Sequence, residues 1–113
     1  MTTTFASSHS YQVVDDSTVS LSVTIGNAAV GSTLVLISGN HLVAGTGVNN
    51  FPLGPGKTLK GQLMTIASAE VATQNFTSNT VDLSGGTSPQ SWTDQHAASP
   101  GDNVIYACTV LFV

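Results

Sequence analysis

The side chains able to do chemistry are few and thinly spread. Three histidines (His9, His41, His96), six acids (Asp15, Asp16, Glu70, Asp82, Asp94, Asp102) and one cysteine, Cys108, make up the titratable set apart from tyrosine and lysine. A Ser-His-Asp arrangement can be drawn in any serine-rich chain, so drawing one carries no weight. The G-x-S-x-G turn that exposes a nucleophilic serine is absent. A Cys-His pair would require Cys108 to leave an apolar run. Glycoside hydrolysis needs two carboxylates facing one cleft, and these acids sit mostly in turns. No catalytic residue is assigned, and the expectation is a protein that is not an enzyme.

Metal binding is argued the same way. Zinc needs three or four ligands at tight spacing. Asp94-x-His96 places only two on one side of an extended segment, and a third would come from His9 or His41 across the fold. Calcium prefers several carboxylates and carbonyls. Asp15-Asp16 and Asp102 could meet at one end of a sandwich, but no EF-hand pattern is present. Neither a metal nor another cofactor is expected.

A sugar is the better small-molecule candidate. Ser, Thr, Asn and Gln supply donors and acceptors without charge, and an aromatic face stacks on a sugar ring. Trp92, the only tryptophan, lies in SPQSWTDQHAAS with Asp94, Gln95 and His96 close by. Residues 87–101 read as a long irregular loop, with a short strand at Gln90 to Thr93. Long loops are often functional. Trp92 therefore reads either as a plug at one end of the core, its N–H bonded to a loop carbonyl, or as a platform for a neutral glycan together with Asp94, Gln95 and His96.

Composition removes several partners. Charged residues make up 7% of the 113-residue chain, against roughly 25% in ordinary domains. There is no arginine, the only lysines are Lys57 and Lys60, and the net charge is −4. Such a chain cannot form a phosphate-tracking stripe, so nucleic acid is not an expected partner. A polybasic contact with a membrane fails for the same reason. MTTTFASSHS has neither the basic nor the apolar region of a signal peptide, and no apolar run approaches a membrane span. Localisation stays open. An Asn-Phe-Thr sequon begins at Asn75, a triplet that arises readily by chance in a Thr-rich chain. A single cysteine rules out an internal disulfide, and Cys108 reads as a small core residue.

The elements that must position these residues are strands. In TVSLSVTI, Val19, Leu21, Val23 and Ile25 point one way and Thr18, Ser20, Ser22 and Thr24 the other. STLVLIS forms a second strand, and a hairpin turn over Ser38 to His41 leads into HLVAGTG. VNNFPLGPGK reads as a loop, with Pro55-Gly56 in a type II turn. Further strands are expected in residues 58–68, with a bulge at Gly61, and in 77–86. The last strand, 103–113, follows a Pro100-Gly101 turn. PGDNVIYACTV resembles the strand openings of bacterial immunoglobulin-like modules, which implies architecture alone.

The expected fold is one all-β domain over 1–113, with 1–8 a flexible N-terminal segment. It is an antiparallel β-sandwich of about 7–8 strands, immunoglobulin-like or of a related Greek-key topology. The expected core is Val19, Leu21, Val23, Ile25, Leu34, Leu36, Leu63, Ile66, Val81, Leu83, Val104, Tyr106, Cys108 and Val110. Low charge also removes the usual guard against strand-edge pairing. In the last strand Ile105, Ala107, Thr109, Leu111 and Val113 oppose the core face, and only Thr109 among them is polar. An apolar second face needs cover, so Ile105, Leu111 and Val113 are the candidate interface. The leading expectation is a structural or interaction module that self-associates into a homo-oligomer or larger particle. The alternative is a small lectin-like domain, and a hydrolase comes third.

Overall fold

The computed structural model describes residues 2–113. Nine strands form two sheets: β1 (Thr2–Tyr11), β2 (Thr18–Gly26), β3 (Val30–Ile37), β4 (Asn40–Gly45), β5 (Val48–Pro55), β6 (Leu63–Val71), β7 (Phe76–Ser84), β8 (Gln90–Ala97) and β9 (Asn103–Phe112). One helical turn, α1 (Gly56–Leu59), separates β5 from β6. The five-stranded sheet has the order β1-β9-β6-β3-β4, and the four-stranded sheet has the order β5-β2-β7-β8. The two pack face to face as a β-sandwich. Every pairing is antiparallel except β1 with β9, which run parallel.

The period of two seen in the sequence builds the core. Val19, Leu21 and Val23 of β2 and Val81 and Leu83 of β7 face Val35, Met64, Ile66, Cys108, Val110 and Phe112 from the other sheet, all of them buried. Cys108 is a core residue, and burial holds its thiol above the usual range. Val104 and Tyr106 are buried on the same face of β9.

The expected core needs correction in β2, β3 and β6. Leu34 and Leu63 are 39% and 47% exposed, and Ile25 and Leu36 are only half-buried. Thr33, Val35 and Met64 turn inward in their place. From Leu34 to Ile37 every residue is apolar, so the run carries no phase of its own. Pairing with β6 sets it: Val35 lies opposite the buried Ile66, and Leu34 lies opposite Ala67 on the other face. Opposite residues share a face.

Three segments read as irregular are strands. The N-terminal segment is β1, which pairs with β9 over ten consecutive positions; Met1 lies outside the described residues. Its Ser, Thr and His conceal an alternation in which Phe5, Ser7, His9 and Tyr11 turn inward. Residues 48–55 form β5, an edge strand. An edge tolerates Pro52 and Pro55, whose missing N–H groups would break a central ladder. Residues 90–97 form β8, twice the length expected. Pro55-Gly56 is no type II turn, because Gly56 begins α1. Gly61 makes no bulge: with φ +85° it ends that helical turn, and its N–H donates to the Phe112 carbonyl at 2.8 Å. The hairpin between β3 and β4 turns on two residues, Ser38 (φ 48°) and Gly39 (φ 83°), the positive pair that a tight two-residue loop requires.

The phase of β3 is checked by a pair of adjacent truncations. Val35→Ala is expected to cost roughly 2 kcal/mol in urea denaturation, and Leu34→Ala less than about 1 kcal/mol at dilute concentration. The reverse order would mean the other face of β3 is the buried one.

Candidate functional site

The surface that stands out is the outer face of the five-stranded sheet. Its middle row crosses all five strands as Ala6, Ala107, Ala67, Leu34 and Ala44, matched by the pairing of neighbours. The next row runs Ser8, Thr109, Thr65, Leu36 and His41, and Ser8 Oγ and Thr109 Oγ1 share a hydrogen bond of 3.0 Å. Toward the sheet's ends the side chains grow. Val30, Val71 and Ile105 lie at one end, and Leu63 and Leu111 at the other. Val30 is 68% exposed. No Asp, Glu, Lys or Arg projects from these rows. Of the expected interface residues, Ile105 and Leu111 lie on this face, and Val113 follows immediately after β9 in the same phase. Leu111 and Val113 are exposed and Ile105 is half-buried.

The other predicted residues are divided between two sides of β8. Trp92, Asp94 and His96 turn inward and Gln95 turns outward, following the strand's alternation. Trp92 is therefore not a free loop platform. Its ring stacks on His9 of β1, with centroids 4.1 Å apart and planes 8° from parallel. His96 stacks on Phe5 at 3.6 Å and 1°. These two stacks close the side of the sandwich where β1 of one sheet overlies β8 of the other. The sequence contains the four aromatic groups, but nothing local pairs residues more than 80 positions apart.

Inside, polarity is concentrated at one end. Thr33, Ser68, Glu70, Thr77 and Asn79 are buried, and all lie at the end of the sandwich where β6 finishes and β7 begins. Thr33 and Ser68 share a hydrogen bond of 2.9 Å. Tyr106 donates its hydroxyl to the Thr77 carbonyl at 3.0 Å, and its oxygen lies 2.8 Å from Thr77 Oγ1. Asp94 joins this end from β8, opposite Asn79. Both Glu70 carboxylate oxygens and Asn79 Oδ1 lack a hydrogen-bond partner among the described residues. Gly31 stands opposite Glu70, and a Cβ there would meet the Ala69 carbonyl and the Glu70 Cβ. Among the described residues, no three metal-ligating side chains gather in one place.

The four-stranded sheet presents a different outer surface. A shallow depression of about 400 Å³ is bordered by Ser20, Ser22, Asn50, Asp82, Gln90 and Ser91 among others. Asn50 takes the left-handed φ of 48°, held by its N–H donating to Ser22 Oγ at 2.9 Å. Register shifts in the β2–β5 pairing aim Asn50 at this spot.

Burial raises the Glu70 pKa from its ordinary 4.5 to about 7. Between these values the folded chain keeps a proton that the unfolded chain releases, so the stability Glu70 contributes is greatest below pH 4.5 and is lost as pH rises to about 7. Glu70→Gln stays neutral throughout. The wild-type Tm is expected to fall by roughly 10 °C more than that of Glu70→Gln between pH 5 and 8. Parallel pH curves for the two proteins would show that Glu70 is charged in the fold.

No helix among the described residues is long and apolar enough to cross a membrane. In the comparisons with known proteins, no family model, curated protein or solved structure matches the chain.

Proposed function

We propose that this protein is a non-enzymatic structural module that self-associates through the outer face of its five-stranded sheet. The observation that carries the reading is the absence of any charged side chain across five strands, with apolar residues at both ends of the face. Sheets pack face to face about 10 Å apart when their side chains interdigitate. A row of alanines offers no obstacle to such packing and no charge to desolvate.

The area is sufficient. Five strands at about 4.8 Å spacing and nine residues at about 3.3 Å rise give roughly 700 Å². Two copies stacked on this face would bury about 1,400 Å², the size of a standard specific interface. Leu63, Leu111, Val30 and Val71 would supply the apolar contacts at the ends, and Ser8, Thr65 and Thr109 would pair their hydroxyls.

Sedimentation velocity over a wide concentration range tests this directly. The expected mass exceeds that of the 11.5 kDa chain. Ala67→Glu places like charges in the centre of the contact and is expected to weaken it by at least about 100-fold. Leu111→Ser removes apolar contact at one end and is expected to weaken it about tenfold. A monomer mass at every concentration would sink the reading.

A second reading is favoured by the depression on the four-stranded sheet. Hydroxyls, amides and one carboxylate at its border suit a neutral polyhydroxylated ligand such as a glycan. Gln90 and Ser91 bring part of the 87–101 segment to it, while Trp92, Asp94 and His96 turn the other way. Amide chemical shifts of Ser22, Asn50 and Gln90 are expected to move on titration with a pool of neutral oligosaccharides, and Asp82→Asn to reduce the response. Shifts that stay fixed at millimolar sugar would remove this reading and leave the first untouched.

A further inference from the structure

We propose that β1 is a docking edge, on which β1 of a second copy adds antiparallel and extends the five-stranded sheet across a two-fold axis. This contact uses an edge rather than the face proposed above: Ala67→Glu breaks the face alone, and amide exchange along β1 reads the edge alone.

The four edge strands differ in how they are guarded. They are β1 and β4 in one sheet and β5 and β8 in the other. Natural sheets blunt their edges with proline, irregular register, short strands and inward-pointing charge. β5 carries Pro52 and Pro55, and its pairing with β2 breaks register twice. β4 has six residues and one register shift against β3. β8 turns the charged Asp94 inward. β1 has none of these devices. It runs ten residues, TTTFASSHSY, with no proline, lysine or acid, and its register with β9 is unbroken. The Phe5–His96 and His9–Trp92 stacks hold it flat against the sandwich.

Backbone geometry points to a second copy as the occupant. In a parallel pair, the N–H and C=O of alternate residues turn toward the partner, and those of the remaining residues turn outward. The outward groups of β1 therefore all belong to residues of one parity. A two-fold axis normal to the sheet sets residue i of one copy opposite residue j of the other, and opposite residues share a face. The sum of i and j is then even, so residues of like parity meet. Each outward amide finds an outward amide, and none is left over in the paired segment. With the axis at Ala6, Thr4 faces Ser8 on the outer side and Phe5 faces Ser7 on the inner side. Hydroxyl meets hydroxyl and large meets small, with no like charges opposed.

Residue-resolved amide hydrogen exchange on the full chain, with sedimentation, tests the edge. In assembled wild type, the amides of the paired β1 residues are expected to be protected without a two-residue alternation. In Thr4→Lys/Ser8→Lys, every second β1 amide is expected to exchange at least about 100-fold faster, with the far-UV signal of the sheets unchanged. Ser8→Lys alone serves if the double variant does not fold. Ala67→Glu is expected to keep the edge contact and sediment at twice the 11.5 kDa chain mass. A mass lowered by the lysines and unmoved by Ala67→Glu supports the edge and rejects the face. Alternating fast and slow β1 amides in the assembled wild type, or a monomeric Ala67→Glu, overturns the proposal.

Discussion

A strand apolar on both faces cannot bury one without presenting the other. β9 is such a strand, and the rest of the molecule is arranged around it. Paired with β6 on one side and β1 on the other, it sends Val104, Tyr106, Cys108, Val110 and Phe112 into the sandwich. Ile105, Ala107 and Leu111 are thereby committed to the outer face. Because opposite residues share a face, that choice propagates across the sheet. Ala107 aligns Ala6 and Ala67, and Ala67 aligns Leu34. The uncharged outer surface follows from the way the core of this sheet is filled.

The interior shows a second balance. One end is filled by Phe112, Met64, Leu83 and Tyr11, and the other contains five buried polar side chains. Hydroxyls at the polar end satisfy one another, as Thr33 does with Ser68 and Tyr106 with Thr77. A buried carboxylate has no such inexpensive solution. Below a pH of about 7 Glu70 holds its proton, which replaces the large cost of a desolvated charge with the smaller cost of a neutral polar group. The fold accepts that cost opposite Gly31, the position where β3 lacks a side chain.

The sides of the sandwich are closed by different means. On one side, the short connection from β4 to β5 keeps the two sheet edges together in the chain. On the other, β1 and β8 are far apart in sequence and meet through two parallel ring stacks. Those stacks draw Trp92 and His96 inward, and they explain why a segment rich in polar residues forms a regular strand. Its polar side chains on the outer side meet water, while the rings and Asp94 turn toward the interior.

The all-β class, the two-residue period and most of the core were legible in the sequence, since alternation in TVSLSVTI and in the last strand is a local property. So was the unusual second face of β9, with Ile105 and Leu111 on it. The phase of β3 was not legible, because a run of four apolar residues fits either face. Nor were β1 and β5: Ser, Thr and Pro obscured their periodicity, and both are edge strands stabilised from one side only. The site residues show the same division. Composition marked Trp92, Asp94 and His96 as unusual, but which side of β8 they occupy depends on Phe5 and His9, more than 80 positions away. Strand pairing is non-local. It alone decided which residues of different strands share a face, which edges stay open, and where an uncharged surface gathers.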